Sequence, residues 1–391
     1  MTLLMVVVAA CSGEAGDGPS AAGTGGGGAS GGTGGSAGAG GSTGGSDGSG
    51  GIGGANGGTG GSGGDPVEPP VGSIPMFIAQ GHAGRTIISC DDGHTWVADQ
   101  SDEAGDYCAT NDCDHGPGAG RGITWGEGWF FATFGWGAPG SVRRSRDGVT
   151  WEPKLEGDTF GGMVFGNGRL VAADRYGQYS DDLGGTWDSF SSVELASDTT
   201  VRDTAFAPYD GGRFVMSADG GIVVSSDGST WAAPQSVPGN CRGGGYQGRI
   251  IYGNGTIVTT PESGDVCYST DGGQNWSVVA LPTGLRANGI WNGSEFMAWN
   301  YGTLYRSTDA ESWTTTQTVP NDIDIGVAAV SDEGTIVGVT SNWGQHYDSQ
   351  VFYRSEDGVN WDVLPENAYT GGHPITTMTF GYGQPSEHCS L

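Results

Sequence analysis

The sequence predicts an all-β protein, a ring of seven four-stranded antiparallel blades forming a β-propeller. Three observations predict it. A word of the type Ser-x-Asp-Gly-x-Thr-Trp occurs seven times. A short apolar run ending in a Gly-rich turn interleaves with it seven times. The two repeats are out of phase at the chain ends, so the last apolar run has no word after it and the first word has no run before it.

The words begin at Ser89, Ser145, Ser180, Ser225, Ser269, Ser307 and Ser355, with spacings of 56, 35, 45, 44, 38 and 48 residues. Periods of this size belong to propellers and solenoids. The interleaved runs are ITWGEG (123–128), MVFGNG (163–168), TAFAPYDGG (204–212), IIYGNG (250–255), GIWNGS (289–294), AAVSDEG (328–334) and MTFGYG (378–383). Each reads as strand A and a turn, followed by strand B, a loop, strand C, the Asp-Gly word as a turn, and strand D from the Trp. The unmatched MTFGYG at the C-terminus then completes a blade whose strands B, C and D are MFIAQG, RTIISC and TWVA near residue 76. Closure by strands from both chain ends removes free sheet edges.

Within each word the carboxylate can accept backbone N–H bonds across the turn. The Gly supplies positive φ, the hydroxyls tie the hairpin ends, and the Trp packs between blades. The residues are Asp91, Asp147, Asp182, Asp227, Asp271, Asp309 and Asp357, with Trp96, Trp151, Trp187, Trp231, Trp276, Trp313 and Trp361. Ala310 stands where the sixth word would have Gly. Seven copies round a ring make a frame rather than an active site.

These words resemble the Asp-box, or BNR repeat, of sialidase-like propellers, over residues 74–391. The resemblance implies that the boxes occupy the C–D turns, on the face away from the ligand. Two departures separate the chain from sialidases. Those enzymes carry a Phe/Tyr-Arg-Ile-Pro word, where this chain reads Gly72-Ser73-Ile74-Pro75, and they close with six blades.

Residues 1–11 resemble a lipoprotein-type signal peptide ending in Val8-Ala9-Ala10-Cys11, with Cys11 the expected lipidation site, although no Lys or Arg precedes Arg85. The alternative is ordinary secretion. Residues 12–73 form a Gly/Ser/Pro-rich linker, with 28 Gly among the 53 residues from Ser12 to Gly64. Such a coil buries no apolar surface and spans roughly 40 Å. The expected location is the bacterial cell envelope, with membrane contact only through the lipid.

Six further cysteines suggest three disulfides, with fifteen formal pairings. The blade order favours Cys108–Cys113 within one loop, Cys241–Cys267 within one blade, and Cys90–Cys389 as a clasp on the closing blade. No metal or cofactor is expected. A C-x4-C loop with one His is too little for zinc, and Asp106, Asp112 and Asp114 lack a calcium-ligand pattern.

A net charge of −29 argues against nucleic acid as a partner. The B–C and D–A loops share the face opposite the boxes. There the ligand candidates are Trp136, Tyr176, Tyr301 and Trp343 as stacking platforms and Arg202, Arg286 and His373 as polar contacts. Asp203 and Glu262 are one conceivable carboxylate pair. Aromatic platforms beside arginines suit an acidic oligosaccharide. Three functions remain open. One is a monomeric, envelope-tethered carbohydrate-binding protein. A second is a glycoside hydrolase or polysaccharide lyase, and a third is a scaffold that binds a surface protein.

Overall fold

The computed structural model describes residues 69–100, 119–135, 140–157, 160–192, 194–195, 200–241, 249–260, 265–279, 281, 289–340, 351–364 and 375–390. All lie in the unit Gly50–Leu391. Cys11, the linker to residue 68 and the Cys108–Cys113 loop lie outside them.

Seven antiparallel sheets form a closed ring. The innermost strands A, in ring order from blade one, are Ile375–Gly383, Ala119–Gly126, Gly162–Gly166, Val201–Ala207, Arg249–Gly253, Gly289–Trp291 and Ile325–Val330. Each packs against the next, and Ile325–Val330 returns to Ile375–Gly383. Most of their side chains are buried, as throughout Gly162–Gly166, Arg249–Gly253 and Ile325–Val330. Blade one is closed as the sequence predicts. Ile375–Gly383 pairs with strand B, Ile74–Gly81, in a register that sets Phe77 against Phe380 and Ile74 against Gly383.

The core is not one mass. Seven clusters of buried side chains occupy the seven gaps between neighbouring blades. The Ser-Asp turns sit at these gaps, on the end of each blade that also carries the A–B turns. Asp147 accepts the N–H of Val149 (2.9 Å) and Thr150 (2.7 Å) and the Ser145 hydroxyl (2.9 Å). Gly148 has φ +73°, and a Cβ there would lie 2.8 Å from Ile78 of the preceding blade. The turn therefore presses bare backbone onto its neighbour, which explains the glycine. Trp299 of blade six likewise donates its indole N–H to the Gly358 carbonyl of blade seven (2.9 Å).

Arginines reinforce the same seams. Arg144 donates to the Leu183 carbonyl of the next blade (2.6 Å), Arg169 to the Asp227 carbonyl, and Arg354 to the Asp92 carbonyl (3.0 Å). At the closing blade, Cys90 in the turn is bonded to Cys389. A second disulfide joins Cys241 to Cys267. Both pairings are those expected from blade order, and disulfides persist in oxidising compartments outside the cytoplasm. No helix among the described residues is long and apolar enough to cross a membrane.

One blade departs from the four-strand expectation. Blade four has strands Val201–Ala207, Arg213–Ala218 and Gly221–Ser225, and its fourth strand is reduced to a single bridge, Val224 to Ala232. Continuing that register would set Pro234 opposite Ile222, and proline has no N–H to give the ladder. The chain instead crosses toward blade five, where Ser236 bridges Asn275.

Candidate functional site

The face opposite the Ser-Asp turns is built from strand-A starts and B–C turns. Tyr176 and Tyr301 both occupy B–C turns there, in blades three and six, and are 57% and 54% exposed. Few large apolar side chains among the described residues are so open. Tyr301 holds a positive φ of 43°. The Arg175 guanidinium lies 5.1 Å from the Tyr176 ring centroid, a cation–π contact that leaves most of the ring accessible.

Arg202 also lies on this face, at the start of strand A in blade four. Its guanidinium forms a two-pronged ion pair with Asp219 in the B–C turn of the same blade, with Nε–Oδ1 at 2.6 Å. The pair pins the turn to the inner strand. Trp136, Arg286, Trp343 and His373 lie outside the described residues, as does Glu262.

The inner edge of this face carries a cluster of buried charge. Asp203, next to Arg202 but on the opposite side of the strand, is 1% exposed. It accepts the N–H of Thr204 (2.9 Å) and, across the blade gap, of Ile250 (3.0 Å). Arg249, the first residue of strand A in blade five, is 5% exposed. It reaches across the ring to donate to the Thr376 carbonyl of blade one (3.1 Å). The Thr376 hydroxyl in turn donates to the Gly120 carbonyl of blade two (2.6 Å). Gln80, fully buried beside Gly120, donates to Thr86 (3.2 Å), while its Oε1 has no hydrogen-bond partner among the described residues. The same holds for Arg249 Nε. Four blades thus converge on the mouth of the central channel.

Burial pushes the Asp203 carboxyl up to about 7, against the opposing pull of Arg249, the two N–H donors and Arg121. Burial pulls Arg249 down, with Asp203 opposing; a guanidinium remains protonated regardless. The mouth therefore holds a fixed cation and a carboxyl poised between its charged and neutral forms near neutrality. Orphaned buried polar atoms beside them are costly unless water or a ligand meets them. A guanidinium is the group that pairs with a carboxylate in two-pronged fashion, and an ionisable acid can hydrogen-bond hydroxyls.

Asp203 was legible in the sequence as half of a candidate carboxylate pair, whereas Arg249 and Gln80 were not. The available signal was an Arg opening an otherwise apolar inner strand, RIIYG. No group of metal-ligating side chains is present among the described residues.

No family model matches the chain, and a comparison with curated proteins returned no match. Solved structures share its fold. A putative 6-phosphogluconolactonase from Bacteroides uniformis ATCC 8492 has 13% identity and a TM-score of 0.51, over 79% of this chain and 99% of that one. A protein of unknown function from Desulfotomaculum acetoxidans DSM 771 has 8% identity and a TM-score of 0.51, over 80% of this chain and all of the other. The GH74 xyloglucanase from Xanthomonas campestris has 16% identity and a TM-score of 0.49, over 84% of this chain and 54% of that one. For the first two, at such identities, the likeness is one of fold alone.

Proposed function

We propose that the chain is an extracytoplasmic binding protein that takes an acidic saccharide on the face opposite its Ser-Asp turns. The observation that carries this reading is Arg249 at the channel mouth, a buried cation whose Nε has no hydrogen-bond partner among the described residues, beside the ionisable Asp203. Tyr176 and Tyr301 on the same face suit the CH surfaces of sugar rings. Arg202 serves in this reading to hold the Asp219 turn, while Arg249 supplies the channel cation. Trp136, Trp343, Arg286 and His373 remain proposed rim contacts. The seven turns have the chemistry of the Asp-box, and we read them as that repeat, acting as frame. Cys11 is the proposed lipid attachment point.

The test is binding of the full chain to neutral and uronate-containing oligosaccharides by calorimetry. Arg249→Gln should remove the preference for acidic over neutral ligands, and Tyr176→Ala should weaken both classes. Equal affinity of the parent for both classes refutes the acidic reading.

A second reading, a carbohydrate-active enzyme, is favoured by Asp203 alone, since a carboxyl near pH 7 suits general acid–base work. Released reducing ends from the same oligosaccharides, lost in Asp203→Asn, would support it.

A further inference from the structure

The incomplete fourth blade leaves an edge with one bridge in place of a strand. Val224 exchanges both backbone hydrogen bonds with Ala232, each 2.9 Å. Its N–H and C=O therefore face the side where a fourth strand would lie. In an antiparallel strand the residue two positions away presents its groups to the same side. That residue is Ile222, and no described residue bonds its outward N–H or C=O. In other blades this side of strand C is covered, as where Val266, Cys267 and Tyr268 pair with Val279, Val278 and Ser277.

A cavity of about 410 Å³ lies along this edge. Gly220–Val223 form its floor. Leu195 with Glu194 comes from the connection out of blade three, and Pro234, Val237 and Pro238 from the connection into blade five. The proline that breaks the blade's own fourth strand thus becomes a wall of the space that strand vacates. The volume is in the range of specific binding pockets. Nothing lies within 4 Å of a Cβ built at Gly221 or Gly239, two of the lining residues.

We propose that this groove binds an extended peptide of another protein, which pairs with Ile222 as a fourth strand and carries a basic residue beside an apolar one. Strand addition to an open edge draws its affinity from main-chain hydrogen bonds and its selectivity from pockets for alternate side chains. The apolar residue enters the space between Leu195, Val237 and Pro238. The basic residue meets Glu194, the one charged side chain among the described residues of the wall. Charge decides among occupants. With 44 Asp and Glu against 15 Lys and Arg, a second copy is repelled. The chain's own Gly-rich segment has no Lys or Arg before Arg85 to offer Glu194.

The probe is a fluorescein-labelled peptide of sequence Lys-Val-Thr-Val-Lys, followed by anisotropy with the full chain. Saturable binding below about 1 mM is expected, the weak end for a short strand. N-methylation of the central Thr, which removes the donor facing Ile222, should weaken it about tenfold or more. Glu194→Lys should weaken it several-fold, and Gly239→Phe, which fills the groove, should abolish it; both should keep the parent's melting temperature. Absence of saturable binding overturns the proposal. So does binding that survives both N-methylation and Gly239→Phe. A dimer in sedimentation that Gly239→Phe dissolves would assign the groove to a second copy and overturn the peptide assignment.

Discussion

Cys90 and Cys389 lie 299 residues apart in the chain, yet their Cα atoms are 6.0 Å apart and their sulfurs are bonded. The bond ties the C–D turn of the closing blade to the segment just beyond that blade's inner strand. At the blade's other flank, the seam with blade seven, Arg354 pairs with Asp92 at 2.8 Å, and Trp96 packs on Phe352 with ring centroids 4.3 Å apart.

Loop-closure entropy makes this bond the more valuable of the two described. The chain-entropy model gives an upper figure of roughly 5–6 kcal/mol for a loop of that length and roughly 3–4 kcal/mol for one the size of Cys241–Cys267. The double variant Cys90→Ser/Cys389→Ser should therefore melt below Cys241→Ser/Cys267→Ser in parallel thermal scans. The reverse order would show that the closing blade holds without its clasp.

Trp361 is 5% exposed and meets Trp299 edge to face across the gap between blades six and seven, with centroids 5.6 Å apart. Trp361→Ala should cost about 3–5 kcal/mol in urea unfolding. Ligand binding on the opposite face should be unchanged below the shifted melting point. A variant with native stability and lost binding would put the site on the wrong end of the ring.

The sixth turn is a natural experiment. Ala310 has φ +62° and is fully buried. A left-handed conformation costs a non-glycine residue roughly 1–2 kcal/mol, and a buried methyl contributes about as much. Ala310→Gly should accordingly shift stability by less than about 1 kcal/mol. Gly148→Ala should destabilise by more than about 1 kcal/mol, because it adds the same backbone strain and a clash with Ile78. Denaturant midpoints of the two variants test the contrast.

Stability should depend on pH in two opposing ways. In the turns, burial disfavours the Asp147 and Asp227 charges but is outweighed by the N–H and hydroxyl bonds each accepts, and Asp227 falls to about 2. At Asp182 the Thr186 N–H leads, and the carboxyl also falls to about 2. Depressed groups stabilise the fold above their unfolded value near 4, and that contribution is lost as pH falls toward 2. Asp203 runs the other way. Its carboxyl is raised to about 7, so its contribution is full below about 4 and is lost as pH rises to 7. Melting temperatures between pH 4 and 7 should decline less in Asp203→Asn than in the parent. Parallel curves would mean that Asp203 does not titrate in this range.

The frame was legible because its grammar is local. Ser145, Asp147, Gly148 and Trp151 lie within seven residues, and each acts on its own turn or the adjoining blade. The chain-end phase of the same words located the closing strand. The channel mouth was not legible, because Arg249 meets Asp203 and Thr376 only after the ring closes, and Arg202 finds Asp219 only through a strand register. The gap in blade four could have been read. Pro234 and Pro238 stand three and seven residues after Trp231, where a ladder needs donors.

The closing strand also sets an order in time. Ile74–Gly81, Thr86–Ser89 and Val97–Gln100 are made first, yet their inner partner, Ile375–Gly383, is made last. Until it arrives, a nascent chain carries one long apolar edge open to pairing with any strand nearby. The ring therefore cannot close blade by blade behind the point of synthesis, and the gaps flanking blade one must be the last to exclude water. A chain cut short before Ile375 would keep most of its blades and still lack a finished surface, leaving it prone to join its own kind.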